Sequence, residues 1–189
     1  LAEDATLYFC PQSLFKIHPD MDPALAEILR RDPAGRIVVF DGPDPNWAKL
    51  LLQRWRPVMG EDFERAHVLP RTTPDDFLGI LALADVVLDS WHFGGGNTSY
   101  QSFAMGLPVV TFPGRYIRGR GVIAHYHHMK IEGCVAENAE QYVDIAVRLG
   151  TDRAWRDEIV RQIVERSDAI FEDEVAVAAL AEFLQGVAP

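Results

Sequence analysis

Val86-Val87-Leu88-Asp89-Ser90-Trp91-His92-Phe93-Gly94-Gly95-Gly96-Asn97-Thr98-Ser99 decides how this chain is read. An apolar run gives way to three consecutive glycines, and a helix-like segment, Tyr100 to Met105, follows. Strand, glycine turn, helix start is the layout that presents backbone N–H groups to a phosphate. Glycines let the backbone approach a ligand with no Cβ in the way. Asn97, Thr98 and Ser99 are residue types that cap a helix and donate hydrogen bonds to oxyanions. The same string also suits a flexible turn with an ordinary N-cap, and the glycines alone do not separate the two readings.

Working outward, short apolar runs alternate with helical periodicity. Thr6 to Cys10, Arg36 to Phe40, Ala66 to Leu69, Val86 to Asp89, Pro108 to Phe112 and Gly133 to Ala136 read as six strands. Between and after them, Pro23 to Arg31 (with Asp22 as N-cap), Asn46 to Met59, Asp75 to Ala84 (capped by Thr72 or Thr73, with Pro74 in the first turn), Ile117 to Met129, Ala139 to Leu149, Asp152 to Ser167 and Glu174 to Leu184 read as helices. The strand runs are continuously apolar, as expected when both faces of a parallel sheet are covered. The expectation is an α/β domain: a doubly wound, mainly parallel six-stranded sheet in the order 3-2-1-4-5-6, with extra C-terminal helices. Residues 1–6 read as a lead-in and 7–189 as one domain. There is no internal repeat.

Composition narrows the function. The 189 residues are 48% hydrophobic and 10% aromatic, which suits a folded domain. With 18 basic and 28 acidic residues the net charge is −10, which argues against nonspecific nucleic-acid binding. No apolar run is long enough to span a bilayer, and no signal pattern is present. The two cysteines, Cys10 and Cys134, read as buried free thiols and point to a reducing, cytoplasmic setting. The chain begins with Leu1, and reads as a piece of something longer.

In a doubly wound sheet, ligands bind beyond the carboxyl ends of the strands, where the strand order reverses. That rule centres the loops Pro11–Pro19 and Trp91–Thr98. Gln12, Ser13 and Lys16 lie in the first; the lysine can neutralise a diphosphate as a point charge. Arg71, Thr72 and Thr73 flank the site, and Phe77 is either a base-stacking aromatic or a core residue. Asp41 stands where a dinucleotide fold has its acidic residue, but Gly-x-Gly-x-x-Gly is missing, which disfavours a dinucleotide. Arg115, Arg118 and Arg120 form a local basic cluster. His125-Tyr126-His127-His128 lacks the further ligands of a metal site. His92 is a residue type that serves in catalysis, but no acid partner for it is identifiable nearby.

Taken together, Pro11-Gln12-Ser13-Leu14-Phe15-Lys16-Ile17-His18-Pro19, Leu83 to Asp89, Phe93 to Tyr100, Gly106 to Gly114 and Tyr142 to Asp152 resemble the C-terminal catalytic half of O-GlcNAc transferases. The bacterial SPINDLY-like members, which usually carry tetratricopeptide repeats, are the most similar. The resemblance runs in order from about Leu7 to Leu184. It implies one Rossmann-like half of a GT-B glycosyltransferase, the half that holds the nucleotide-sugar donor. It further implies inverting, metal-independent transfer of a sugar, usually N-acetylglucosamine from UDP-GlcNAc, to a protein Ser or Thr, without a cofactor.

Carried over by resemblance, Lys16 is the lysine on the donor diphosphate and the one catalytic residue expected in this half. Gly95, Gly96, Asn97 and Thr98 form the phosphate-binding helix start. Phe77 packs on the uracil, and Thr72 and Thr73 lie on the loop that reads the base edge. Gln12 and Ser13 complete the first loop; Gln12 stands one place from the glutamine of the animal enzymes. Gln101 stands where relatives carry Glu or Asp on the ribose, and Arg115 where many carry an acid. The upstream half supplies acceptor contacts and candidate bases, so this part alone is expected to bind donor without turnover. Two other readings are a non-catalytic nucleotide-sugar module and a UDP-sugar epimerase, whose usual C-terminal motifs are not seen here.

Overall fold

Five short apolar runs pair side by side in the computed structural model, which describes residues 4–187. They are β1 (Thr6–Phe9), β2 (Gly35–Phe40), β3 (Ala66–Leu69), β4 (Val86–Leu88) and β5 (Val109–Val110). The order is β3-β2-β1-β4-β5 and every pairing is parallel. Tyr8 and Phe9 of β1 face Ile37 and Val38 on one side and Val86 and Val87 on the other. These side chains are almost fully buried, which is why the runs show no polar alternation. The order reverses between β1 and β4, as expected from the sequence.

The expected sixth strand is corrected to a single bridge, Thr111 to Val135. Thr111 donates its N–H to Cys134 O and accepts that of Ala136. Pro113 has no N–H for the next rung, so the pairing stops there. β1 begins at Thr6, inside the expected lead-in; residues 1–3 of that lead-in lie outside the described residues.

The helices are α1 (Asp22–Arg31), α2 (Pro45–Met59), α3 (Pro74–Leu81), α4 (Asn97–Ala104), α5 (Gly121–Met129), α6 (Ala139–Thr151), α7 (Arg153–Arg166) and α8 (Glu174–Val187). α1 packs against both α2 and α6. Thr73 caps α3, with Pro74 at its first position. Asp22 does not cap α1. It lies buried at the helix start and holds Arg54 through Nε (2.6 Å) and Nη2 (3.0 Å), and the Trp55 indole N–H at 2.9 Å. The expected helix from Ile117 is broken: a 3-10 turn at Ile117–Gly119 precedes α5. Cys10 and Cys134 are buried free thiols, and burial pushes both up to about 12.

α8 differs from the rest. Val175, Val177, Leu180, Phe183, Leu184 and Val187 are all more than half exposed, and α8 has no buried residue. Among the described residues, no helix is long and apolar enough to cross a membrane.

Candidate functional site

The loops leaving β1 and β4 meet over the reversal of strand order. After β1 the chain turns through a 3-10 helix, Leu14–Lys16. Arg54 Nη2 donates to Ile17 O at 2.7 Å and pins the end of this turn. Lys16 is thereby aimed at the glycine loop. Its Nζ donates to Gln12 Oε1 (3.2 Å) and Gly94 O (3.4 Å), and lies 4.5 Å from the centre of the Phe93 ring. Burial lowers the pKa of Lys16, and the nearby Asp89 carboxylate opposes that shift. Gln12, itself buried, reaches across and donates through Nε2 to Thr98 Oγ1 at 2.6 Å. Lys16, Gln12 and Thr98 thus form a continuous bridge between the two loops.

Asp89 sets the shape of the glycine loop. This buried carboxylate accepts the Gly95 N–H at 2.7 Å and the Thr111 hydroxyl at 2.8 Å. Burial pushes its pKa up to about 6, against the lowering effect of these donors and of Lys16. A Cβ at Gly94 would lie 2.8 Å from Asp89 Oδ2, and one at Gly95 would lie 2.8 Å from Gln12 Nε2. Gly94 is therefore demanded by the buried Asp89 carboxylate, while a side chain at Gly95 would displace the Gln12–Thr98 contact. Gly96 alone opens onto free space.

Helix α4 starts at Asn97 with Gly96 as its cap, and no side chain caps it. This corrects the expected role of Asn97, Thr98 and Ser99. Thr98 is engaged by Gln12, and Ser99 donates back to Gly96 O at 2.6 Å. The N–H groups of Gly96, Asn97 and Thr98 consequently have no acceptor among the described residues. Free N–H groups at a helix start, with a lysine on the adjoining glycine loop, attract an anion.

A cavity of about 350 Å³ adjoins this clamp. Gln12, Ser13, Asp41, Trp47, Thr72, Thr73 and Phe77 contribute to its lining. Phe77 is half-buried against Phe40, with ring centres 5.2 Å apart, and lines the cavity. The hydroxyls of Thr72 and Thr73 both turn toward Asp76 Oδ2. Asp41 is occupied with the Gly42 N–H at 2.7 Å. Gln101 is half-exposed on α4. A larger cavity, about 1290 Å³, lies under α2 and α3 and contains none of the candidate residues.

Sequence reasoning missed two partnerships. Asp89 was visible only as the end of a strand. His92 does have an acid partner: Asp20 Oδ2 lies 2.8 Å from His92 Nε2. The two residues are 72 positions apart, joined only by the reversal of strand order. His125, by contrast, is buried against Tyr100 and Phe103, and burial lowers its pKa.

This parallel sheet, open at its strand carboxyl ends and flanked by helices, is the Rossmann-like half of a GT-B fold. It superposes on a point mutant of the O-GlcNAc transferase of Thermobaculum terrenum with a TM-score of 0.85 and 25% identity, covering 97% of this chain and 36% of that one. A UDP-GlcNAc 2-epimerase of Neisseria meningitidis, at 12% identity and a TM-score of 0.60, shares the fold alone. The model of glycosyl transferase family 41 matches residues 1–175, and the chain belongs to that family. A Solanum lycopersicum protein described as "probable UDP-N-acetylglucosamine–peptide N-acetylglucosaminyltransferase SPINDLY" is 28% identical over 144 residues, 74% of this chain and 15% of that protein. The Caenorhabditis elegans UDP-N-acetylglucosamine–peptide N-acetylglucosaminyltransferase is 27% identical over 155 residues, 80% of this chain and 13% of that protein. The chain spans about 15% of the length of the curated relatives it matches.

Proposed function

We propose that this chain is the donor-binding half of an inverting, metal-independent protein O-glycosyltransferase that takes a UDP-sugar, with UDP-GlcNAc the leading candidate. One observation carries the reading: the three N–H groups at the start of α4 have no acceptor among the described residues, and Lys16, from across the reversal of strand order, reaches the adjoining glycine loop at Gly94 O. A diphosphate held there gains a cation on one side and helix N–H groups on the other. Both become more favourable as negative charge develops on the leaving UDP, which is how a preorganised anion site lowers a barrier. The adjoining cavity accepts the base, with Phe77 against its face and the Thr72–Thr73 backbone at its edge. Gln101 addresses the ribose as a neutral amide.

The bare apolar side of α8 supports the same reading. So many exposed aliphatic and aromatic side chains on one helix are a surface awaiting a partner. The upstream half of the enzyme, which also supplies the acceptor contacts and any base, is the natural cover, with tetratricopeptide repeats preceding it. Gln101 sustains a second reading, a nucleotide-sugar-binding module without transfer activity, because it forgoes a charge-assisted bond to the donor.

Calorimetry with UDP tests the assignment. Lys16→Ala is expected to weaken binding by roughly 1–3 kcal/mol, the scale of a hydrogen bond to a charged group. Its melting temperature should remain that of the parent, because Lys16 is only partly buried. Unchanged affinity would remove Lys16 from the site.

A further inference from the structure

Three ligand-type side chains meet at the rim of this cleft, outside the residues assigned to the donor. His18 and Asp20 come from the loop after β1, and His92 from the loop after β4. One ligand atom of each lies within 4.8 Å of the other two, and all three residues are exposed. Asp20 Oδ2 is the shared centre, 2.8 Å from His92 Nε2 and 3.3 Å from His18 Nδ1. The two imidazoles meet edge to face, 4.7 Å between ring centres.

Two details set this cluster apart from a chance surface grouping. His92 adopts φ 69°, a left-handed backbone conformation that costs a side-chain-bearing residue roughly 1–2 kcal/mol. Its surroundings impose it: Ser90 Oγ donates to Phe93 O, Gly94 N donates to Arg118 O, and Gly114 and Gly119 pack against the His92 backbone. Held this way, the ring reaches Asp20. The second detail is placement: His18 Nδ1 lies 3.2 Å from the Asp20 backbone nitrogen and 3.3 Å from Asp20 Oδ2, which holds the second imidazole beside the same carboxylate.

Two imidazoles and a carboxylate form a donor set for a borderline-soft divalent cation, whereas magnesium and calcium prefer oxygen alone. Bonds of about 2.0–2.2 Å in a tetrahedral site place ligand atoms roughly 3.3 Å apart. Modest side-chain rotations of these exposed residues bring the present spacings, 2.8 and 3.3 Å about Asp20 Oδ2, to that value. We propose that His18, Asp20 and His92 bind a zinc-class divalent cation and so clip the β1 loop to the β4 loop. The fourth position stays open to water or an anion. The clip takes no part in the transfer step. It fixes the spacing of the two loops that carry Lys16 and the glycine turn, and it stands whether or not the donor is a UDP-sugar.

The test is titration of the 189-residue chain with zinc chloride against a chromogenic chelator, without nucleotide. One equivalent is expected to bind. His18→Ala and His92→Asn should each weaken it more than tenfold; asparagine tolerates the left-handed conformation. His128→Ala, an exposed histidine elsewhere, should change nothing. Thermal melts of the metal-free variants should match the parent, and added zinc should raise the melting temperature of the parent and of His128→Ala but not of His18→Ala or His92→Asn. Absence of stoichiometric binding, or binding that survives both His18→Ala and His92→Asn, overturns the proposal.

Discussion

Two carboxylates are buried at the same end of this sheet, and they are satisfied in opposite ways. Asp22, 2% exposed, meets a guanidinium through two hydrogen bonds and an indole N–H through a third. Asp89, 4% exposed, has no guanidinium; it relies on the Gly95 N–H and the Thr111 hydroxyl, with Lys16 nearby. The first arrangement is scaffold: it fastens α1 to α2 and, through Arg54, pins the turn that carries Lys16. The second leaves part of the charge uncompensated beneath a loop whose outer N–H groups are free. A protein that builds the first kind of site has the means to neutralise the second. On the proposed reading, Lys16 is shared between the Asp89 carboxylate and a ligand anion.

The largest expected effect attacks the scaffold side of this contrast. Asp22→Ala leaves the fully buried Trp55 indole N–H without a partner and releases Arg54, and should cost about 3 kcal/mol of stability, read by urea denaturation. A loss below about 1 kcal/mol would show that Asp22 is not the fastening.

Asp89→Asn probes the other side. A carboxyl group at about 6 in the native state and near its ordinary value when unfolded binds its proton more tightly in the native state. Its contribution is therefore most favourable below about pH 4 and is lost as pH rises through about 6. Asparagine retains an acceptor for the Gly95 N–H but cannot ionise. Relative to the parent, Asp89→Asn should gain about 2 kcal/mol between pH 4 and 7 and then level off. A difference that does not change with pH would mean that burial does not raise the Asp89 pKa.

The smallest change sharpens the ligand side. Gln101→Glu restores a charge-assisted acceptor toward a ribose diol and should tighten UDP by about 1 kcal/mol in calorimetry. Weaker binding would mean that α4 no longer addresses a ribose.

Much of the frame could be read from local pattern. Continuous apolar runs such as Ile37-Val38-Val39 announced covered parallel strands, and Thr73-Pro74 marked a helix start, because both signals are written in neighbouring residues. The sixth strand failed on a local detail: Pro113 removes the donor that would extend the Thr111–Val135 bridge. Asp22 has the position of a cap, and only tertiary packing turns it toward Arg54. The site shows the same division. Lys16 and Gly94–Thr98 stand out at a reversal of strand order that the βα pattern implies. Which atoms they engage does not, since Gln12 meets Thr98 across 86 positions and His92 meets Asp20 across 72. Such pairs exist only once β1 and β4 lie side by side.

The most direct measurement is calorimetric titration of the chain with UDP and, separately, with uridine. A clamp built from Lys16 and the start of α4 predicts UDP at least tenfold tighter than uridine, a gap of about 1.4 kcal/mol or more, and a gap that shrinks in Lys16→Ala. Equal affinities for the two, or a gap that Lys16→Ala leaves intact, would contradict the placement of a diphosphate between these loops.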